Sequence, residues 1–167
     1  PDYTLTINAQ GHCDWLFESS LCGDWAEPND TLETAYDFRE LEGLHTFDFL
    51  SIHASDNDDW FRAETLATTT ESHYVAIDFE HADGDLDMAL YDADGTLIER
   101  SSGVGDHEEI RGGDLEAGVY YLQIYGFADA TNPAYTLTIN APVDAGGEGD
   151  WAEPNDTLET AYDFREL

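Results

Sequence analysis

Lysine is absent from this chain of 167 residues, and its five strongly basic side chains are all arginines: Arg39, Arg62, Arg100, Arg111 and Arg165. Against them stand 38 aspartates and glutamates, giving a formal charge of −33. A surface so poor in cations repels phosphate polymers and anionic lipid headgroups, which argues against nucleic-acid partners and acidic membrane surfaces. No apolar run approaches the roughly 18 residues that a membrane-crossing helix requires, so no membrane insertion is expected. Methionine occurs once and cysteine twice. What is plentiful argues against a disordered acidic tail: 41% of the residues are hydrophobic and 13% aromatic, enough to build a core that offsets chain entropy.

The sequence repeats itself. Asp24 to Leu41 reads DWAEPNDTLETAYDFREL, and the same string recurs without change from Asp150 to Leu167. PDYTLTINA at Pro1 to Ala9 is echoed by PAYTLTINA at Pro133 to Ala141. The chain therefore reads as a window on a tandem array. Residues 1–8 are the last strand of a preceding repeat, 9–23 a linker, 24–140 a complete unit, 141–149 a second linker, and 150–167 the opening of the next repeat. Both cysteines, Cys13 and Cys22, lie in the longer linker. A disulfide closing that loop is the preferred reading, and it implies an oxidising, extracellular compartment. Free thiols are the alternative, and a metal site with His12 ranks lower because the spacing matches no common zinc pattern.

Periodicity within the unit is that of strands. Tyr135, Leu137 and Ile139 alternate with Thr136, Thr138 and Asn140; Tyr120, Leu122 and Ile124 alternate with Tyr121, Gln123 and Tyr125. Further strands are expected at His45–Ile52, Trp60–Leu66, His73–Glu80, Leu86–Tyr91, Thr96–Ser101 and Glu108–Arg111. Asp94-Gly95 marks a tight hairpin, and Gly112-Gly113 and Ala117-Gly118 punctuate the later strands. A helical turn is expected over Thr31–Tyr36, capped by Asn29 or Asp30. About eight short strands predict an all-β fold, an antiparallel β-sandwich.

Several ordered motifs carry a family resemblance: D-W-A-E-P-N-D-T at Asp24, S-D-N-D-D-W-F at Ser55, G-D-L-D-M-A-L-Y-D-A-D-G at Gly84, A-G-V-Y-Y-L-Q-I at Ala117 and Y-T-L-T-I at Tyr135. Together they resemble the bacterial pre-peptidase C-terminal domain, which is related to clostridial collagen-binding domains. The resemblance implies a jelly-roll-like sandwich, found in tandem at the ends of secreted peptidases and in other extracellular proteins. It also implies a calcium site. The matching positions are Glu27, Asn29 and Asp30 with the loop carrying Asp56, Asp58 and Asp59, and, in the next repeat, Glu153, Asn155 and Asp156. The relatives often carry another acid two places before the Glu, where this chain has Trp25.

The chemistry of these residues points the same way, since calcium takes six to eight hard oxygens and the E-x-N-D string supplies several from one turn. A second candidate is Asp83, Asp85 and Asp87, because side chains at i, i+2 and i+4 of a strand share a face and repel unless a cation or solvent intervenes. It is not an EF-hand loop, because Met88 stands where the sixth-position glycine is required. In so acidic a chain, the competing reading of either cluster is a solvated face.

Catalysis finds little support. The histidines, at 12, 45, 53, 73, 81 and 107, form no H-E-x-x-H, and neither G-x-S-x-G nor a P-loop occurs. Outward Tyr121 and Tyr125 suit either a binding platform or cross-strand packing. The sequence therefore predicts a non-enzymatic, calcium-stabilised repeat of an extracellular array or filament. Its ends would complete neighbouring copies head-to-tail, through the strand with Tyr3, Leu5 and Ile7 and the segment with Tyr162 and Phe164. The competing function is an accessory module of a secreted hydrolase that binds protein or polysaccharide.

Overall fold

The structure, a computed structural model, describes residues 23–144. The expectations for Cys13 and Cys22, for Tyr3, Leu5, Ile7, Tyr162 and Phe164, and for Glu153, Asn155 and Asp156 lie outside the described residues. Within them the chain forms nine strands: β1 (Tyr36–Glu40), β2 (Gly43–Ile52), β3 (Asp59–Thr65), β4 (Tyr74–Phe79), β5 (Leu86–Tyr91), β6 (Leu97–Ser101), β7 (His107–Arg111), β8 (Gly118–Gly126) and β9 (Asn132–Ala141). They make two sheets, ordered β1-β3-β8-β5-β6 and β2-β9-β4-β7. The apolar faces meet as a β-sandwich.

Eight of these strands match the alternating or apolar runs of the sequence, and β1 is the ninth. It pairs with β3 in parallel, Tyr36 opposite Phe61, so the sandwich is antiparallel in every pairing but this one. The expected turn before it is a short 3-10 segment, Leu32–Thr34. Thr31, rather than Asn29 or Asp30, caps it: the Thr31 backbone N–H donates to the Thr34 hydroxyl, 3.1 Å away.

Tyr135, Leu137 and Ile139 of β9 and Leu122 and Ile124 of β8 point inward and are buried, as their alternation requires. Leu50, Ile52, Phe61, Ile77, Leu86, Met88 and Ile110 complete the centre. Each such side chain stabilises the fold by about 1.5–3 kcal/mol relative to exposure. The outward row of β8 packs on its own sheet. Tyr91 donates to Gln123 Oε1 at 2.7 Å, Gln123 Nε2 donates to Asp58 Oδ2 at 2.7 Å, and Trp60 lies 5.2 Å from Tyr91, ring to ring.

The domain has two poles. At one, Gly43 of β2 pairs with Ala141, the last residue of β9; at the other, Ile52 pairs with Asn132. The chain enters at the second pole, where the Ser51 N–H donates to Asp24 Oδ2 at 2.6 Å. It leaves by Ala141 at the first.

Candidate cation site

The opening segment folds over the end of β2 and the start of β3. The two oxygens of Asp24 accept the N–H groups of Ala26 (2.9 Å) and Ser51 (2.6 Å). Asn29 pairs with Trp60 as a short bridge: the Trp60 N–H donates to the Asn29 carbonyl at 2.8 Å, and Asn29 Nδ2 donates to the Trp60 carbonyl at 3.4 Å. Glu27 Oε2 accepts the Asn29 N–H at 3.2 Å. The Asn57 amide then bridges two acids, donating to Asp30 Oδ1 at 2.6 Å and to Glu27 Oε1 at 3.4 Å. His53 Nδ1 lies 3.1 Å from that same Glu27 oxygen.

Beneath this layer sits Asp59, with no exposed surface. The Tyr135 hydroxyl donates to its Oδ2. Its Oδ1 has no hydrogen-bond partner among the described residues, and neither does Oδ1 of Asn29, which is equally buried. Two buried acceptors without donors cost about 1–3 kcal/mol each.

The electrostatics agree with the geometry. Burial pushes Asp59 up to about 8; the Tyr135 hydrogen bond opposes this, and the carboxylates of Asp24, Glu27 and Asp30 add to it. Burial likewise raises Glu27 and Asp24. Tyr135, wholly enclosed and facing Asp59, is held well above the ordinary phenol range. Arg62 serves Asp37 (2.7 Å) and Glu64 (3.4 Å) instead, and Arg111 serves Glu109 (2.6 Å). The site thus combines converging carboxylates, an amide oxygen and an excess of negative charge, a donor set suited to a hard divalent cation. Among the described residues no three His, Cys, Asp or Glu side chains alone make a metal-binding group. The free oxygen of Asn29 and the Asn57 bridge are what distinguish this place.

The sequence-predicted residues separate accordingly. Glu27, Asn29, Asp30 and Asp59 come together. Asp56 is exposed in its turn, and Asp58 is drawn to Gln123 on the outer face of the sheet. Trp25 is not a substitute ligand: its indole N–H donates to the Asp48 carbonyl at 2.9 Å and its ring meets Tyr36 edge-on at 5.2 Å. Asp24, beside it, brings the additional carboxylate. Asp24 opens the D-W-A-E-P-N-D-T string and Asn57 lies within the acidic loop, yet neither is among the expected ligands; His53 and Tyr135 stand outside both motifs, and folding alone brings them there.

The second acidic trio does not share a strand face, contrary to expectation. Asp83 ends a 3-10 turn, Gly84 reverses the chain, and β5 begins only at Leu86. Asp85 lies 3.1 Å from His81, and Asp87 is buried in β5. Three of the five described histidine rings are hydrogen-bonded: His45 Nε2 lies 2.9 Å from the Glu42 carbonyl, His73 Nδ1 accepts the Thr70 N–H at 2.9 Å, and His107 Nδ1 lies 2.8 Å from Asp78. His53 and His81 lie 3.1 Å from Glu27 and Asp85, with no hydrogen bond at either Nδ1 among the described residues.

Among solved structures, the chain is similar to the pre-peptidase C-terminal domain of a collagenase from Bacillus anthracis, at 16% identity and a TM-score of 0.47, covering 62% of this chain and 95% of that one. No family model matches, and no curated protein does.

Proposed function

We propose that this domain is a non-catalytic accessory module of a secreted protein, and that a calcium ion held by Glu27, Asn29, Asp30 and Asp59 fastens its opening segment to the sandwich. One observation carries the reading: two fully buried oxygens, of Asn29 and Asp59, lack donors inside a group of carboxylates served by no arginine. A calcium ion would use these oxygens, offset the desolvation that burial imposes on Asp59 together with the repulsion from Asp24, Glu27 and Asp30, and replace the weak positive end of the Asn57 amide between Glu27 and Asp30. In such a module the sandwich presents a surface to protein or polysaccharide while another domain performs the chemistry. The filament reading depends on residues 1–8 and 150–167, which lie outside the described residues.

Thermal melting at fixed ionic strength, with calcium and with EGTA, tests the site. Calcium at 100 times its dissociation constant adds about 2.7 kcal/mol and raises the midpoint. An unchanged midpoint, with no heat on calorimetric titration, would mean that these residues hold no calcium.

A further inference from the structure

The domain's first eighteen residues, Asp24 to Leu41, have an identical copy in the same chain, Asp150 to Leu167, and even the preceding glycine is repeated as Gly149. That glycine matters, since a Cβ at Gly23 would lie 2.3 Å from Glu27 Cγ. In the structure the first copy occupies a defined seat. Phe38 stacks on Phe47 (4.1 Å) and Phe61 (5.3 Å), Asp37 pairs with Arg62, the Leu41 N–H donates to the Glu64 carbonyl at 3.0 Å, and Asn29 bridges Trp60. All the seat's own residues lie outside the repeated string. We infer that this seat is a docking surface for the segment 150–167 of a second copy of the chain, which would place Phe164, Asp163, Leu167 and Asn155 where Phe38, Asp37, Leu41 and Asn29 now stand.

Geometry favours segment 150–167 of a second copy over that of the same copy. The seat begins beside Ser51, and β2 covers about 26 Å between Gly43, partner of Ala141, and Ser51. The nine steps from Ala141 to Asp150 span at most about 31 Å. Segment 150–167 of the same copy therefore reaches the seat only with its linker drawn almost straight, at a large cost in chain entropy. A second copy meets no such limit. The first copy competes by being joined directly to β2, which gives it an effective concentration on the order of millimolar. Exchange is then concentration-dependent and head-to-tail, and weakening the first copy alone favours it.

The test uses the full chain with Phe38→Ala, with Phe164→Ala, and with both. Truncating Phe38 weakens the first copy's hold by roughly a hundredfold or more, bringing exchange into the range of tens of micromolar. Sedimentation should find the Phe38→Ala chain associating with concentration while it melts near the wild type. Phe164→Ala should remain monomeric, and the double variant should be monomeric and melt about 10 °C or more lower. A labelled peptide of residues 150–167, titrated with the Phe38→Ala chain, should gain anisotropy, and its Phe164→Ala version should not. A Phe38→Ala chain that stays monomeric at every concentration, whether it melts high or low, overturns the inference, as does a peptide that fails to bind.

Discussion

Tyr135 and Asp59 belong to opposite sheets and meet in the core, the β9 phenol donating to the β3 carboxylate, with both side chains essentially removed from solvent. The contact ties the two layers together directly below the candidate cation site. It also satisfies only one of the two Asp59 oxygens.

Replacing Asp59 by Asn keeps the shape and removes the charge. At about pH 7 in EGTA the variant should be more stable than the wild type by about 1–4 kcal/mol, because folding the wild type takes up a proton on a carboxyl that burial raises to about 8, and the amide folds without that cost. In calcium the order should reverse, as the variant gains nothing from the ion. Parallel melts in the two buffers measure both effects.

Tyr135→Phe leaves both Asp59 oxygens without a donor. Urea unfolding in EGTA should show a loss of about 1–3 kcal/mol with an unchanged slope. Calcium should restore part of the difference; equal losses in the two buffers would mean that the ion does not contact Asp59.

Asp87 supplies a pH dependence away from that site. Burial, with the Asp85 and Glu108 carboxylates adding to it and Arg100 opposing, raises it to about 6. The folded value lies above the unfolded value of 3.8, so the folded chain holds this proton more tightly. The stability it contributes is complete below about pH 4 and is lost as pH rises through 6. Asp87→Asn should therefore match the wild type near pH 4 and exceed it by on the order of 2 kcal/mol above pH 7. Melting both proteins across that range isolates the group from every other acid in the chain.

Gly84 should tolerate no side chain. It sits at φ 152°, and a Cβ there would lie 1.9 Å from the Thr131 carbonyl oxygen. Gly84→Ala should cost about 2 kcal/mol or more, read by denaturant midpoint, because backbone rather than a flexible side chain must move. A neutral result would mean that the β8–β9 connection yields easily.

The strands of the two sheets were legible wherever one face is wet and the other dry: β8 and β9 announce themselves through Leu122, Ile124, Leu137 and Ile139. β1 was not legible. Only Phe38 of its five residues packs inward, and the other four are exposed charges and an exposed tyrosine, so a five-residue edge strand offers no alternation to count. Three residues of the candidate site, Glu27, Asn29 and Asp30, were written in one string, and Asp59 stood in the acidic loop. The rest is assembled by topology, since His53 and Asn57 follow β2, Asp59 opens β3 and Tyr135 comes from β9, far along the chain. Acidic spacing alone misled at Asp58, whose partner Gln123 could not be foreseen, and at Asp83, where Gly84 breaks the strand.

Entry at one pole and exit at the other fixes how the domain would carry mechanical load. A pull between Asp24 and Ala141 runs nearly along β2 and β9, and β9 is clamped on both sides, by β2 and by β4. The ladder bonds on its two flanks would then be sheared together instead of opening one after another like a zip, and the weakest link in tension becomes the polar anchorage of the opening segment at Ser51, Trp60 and Asn57.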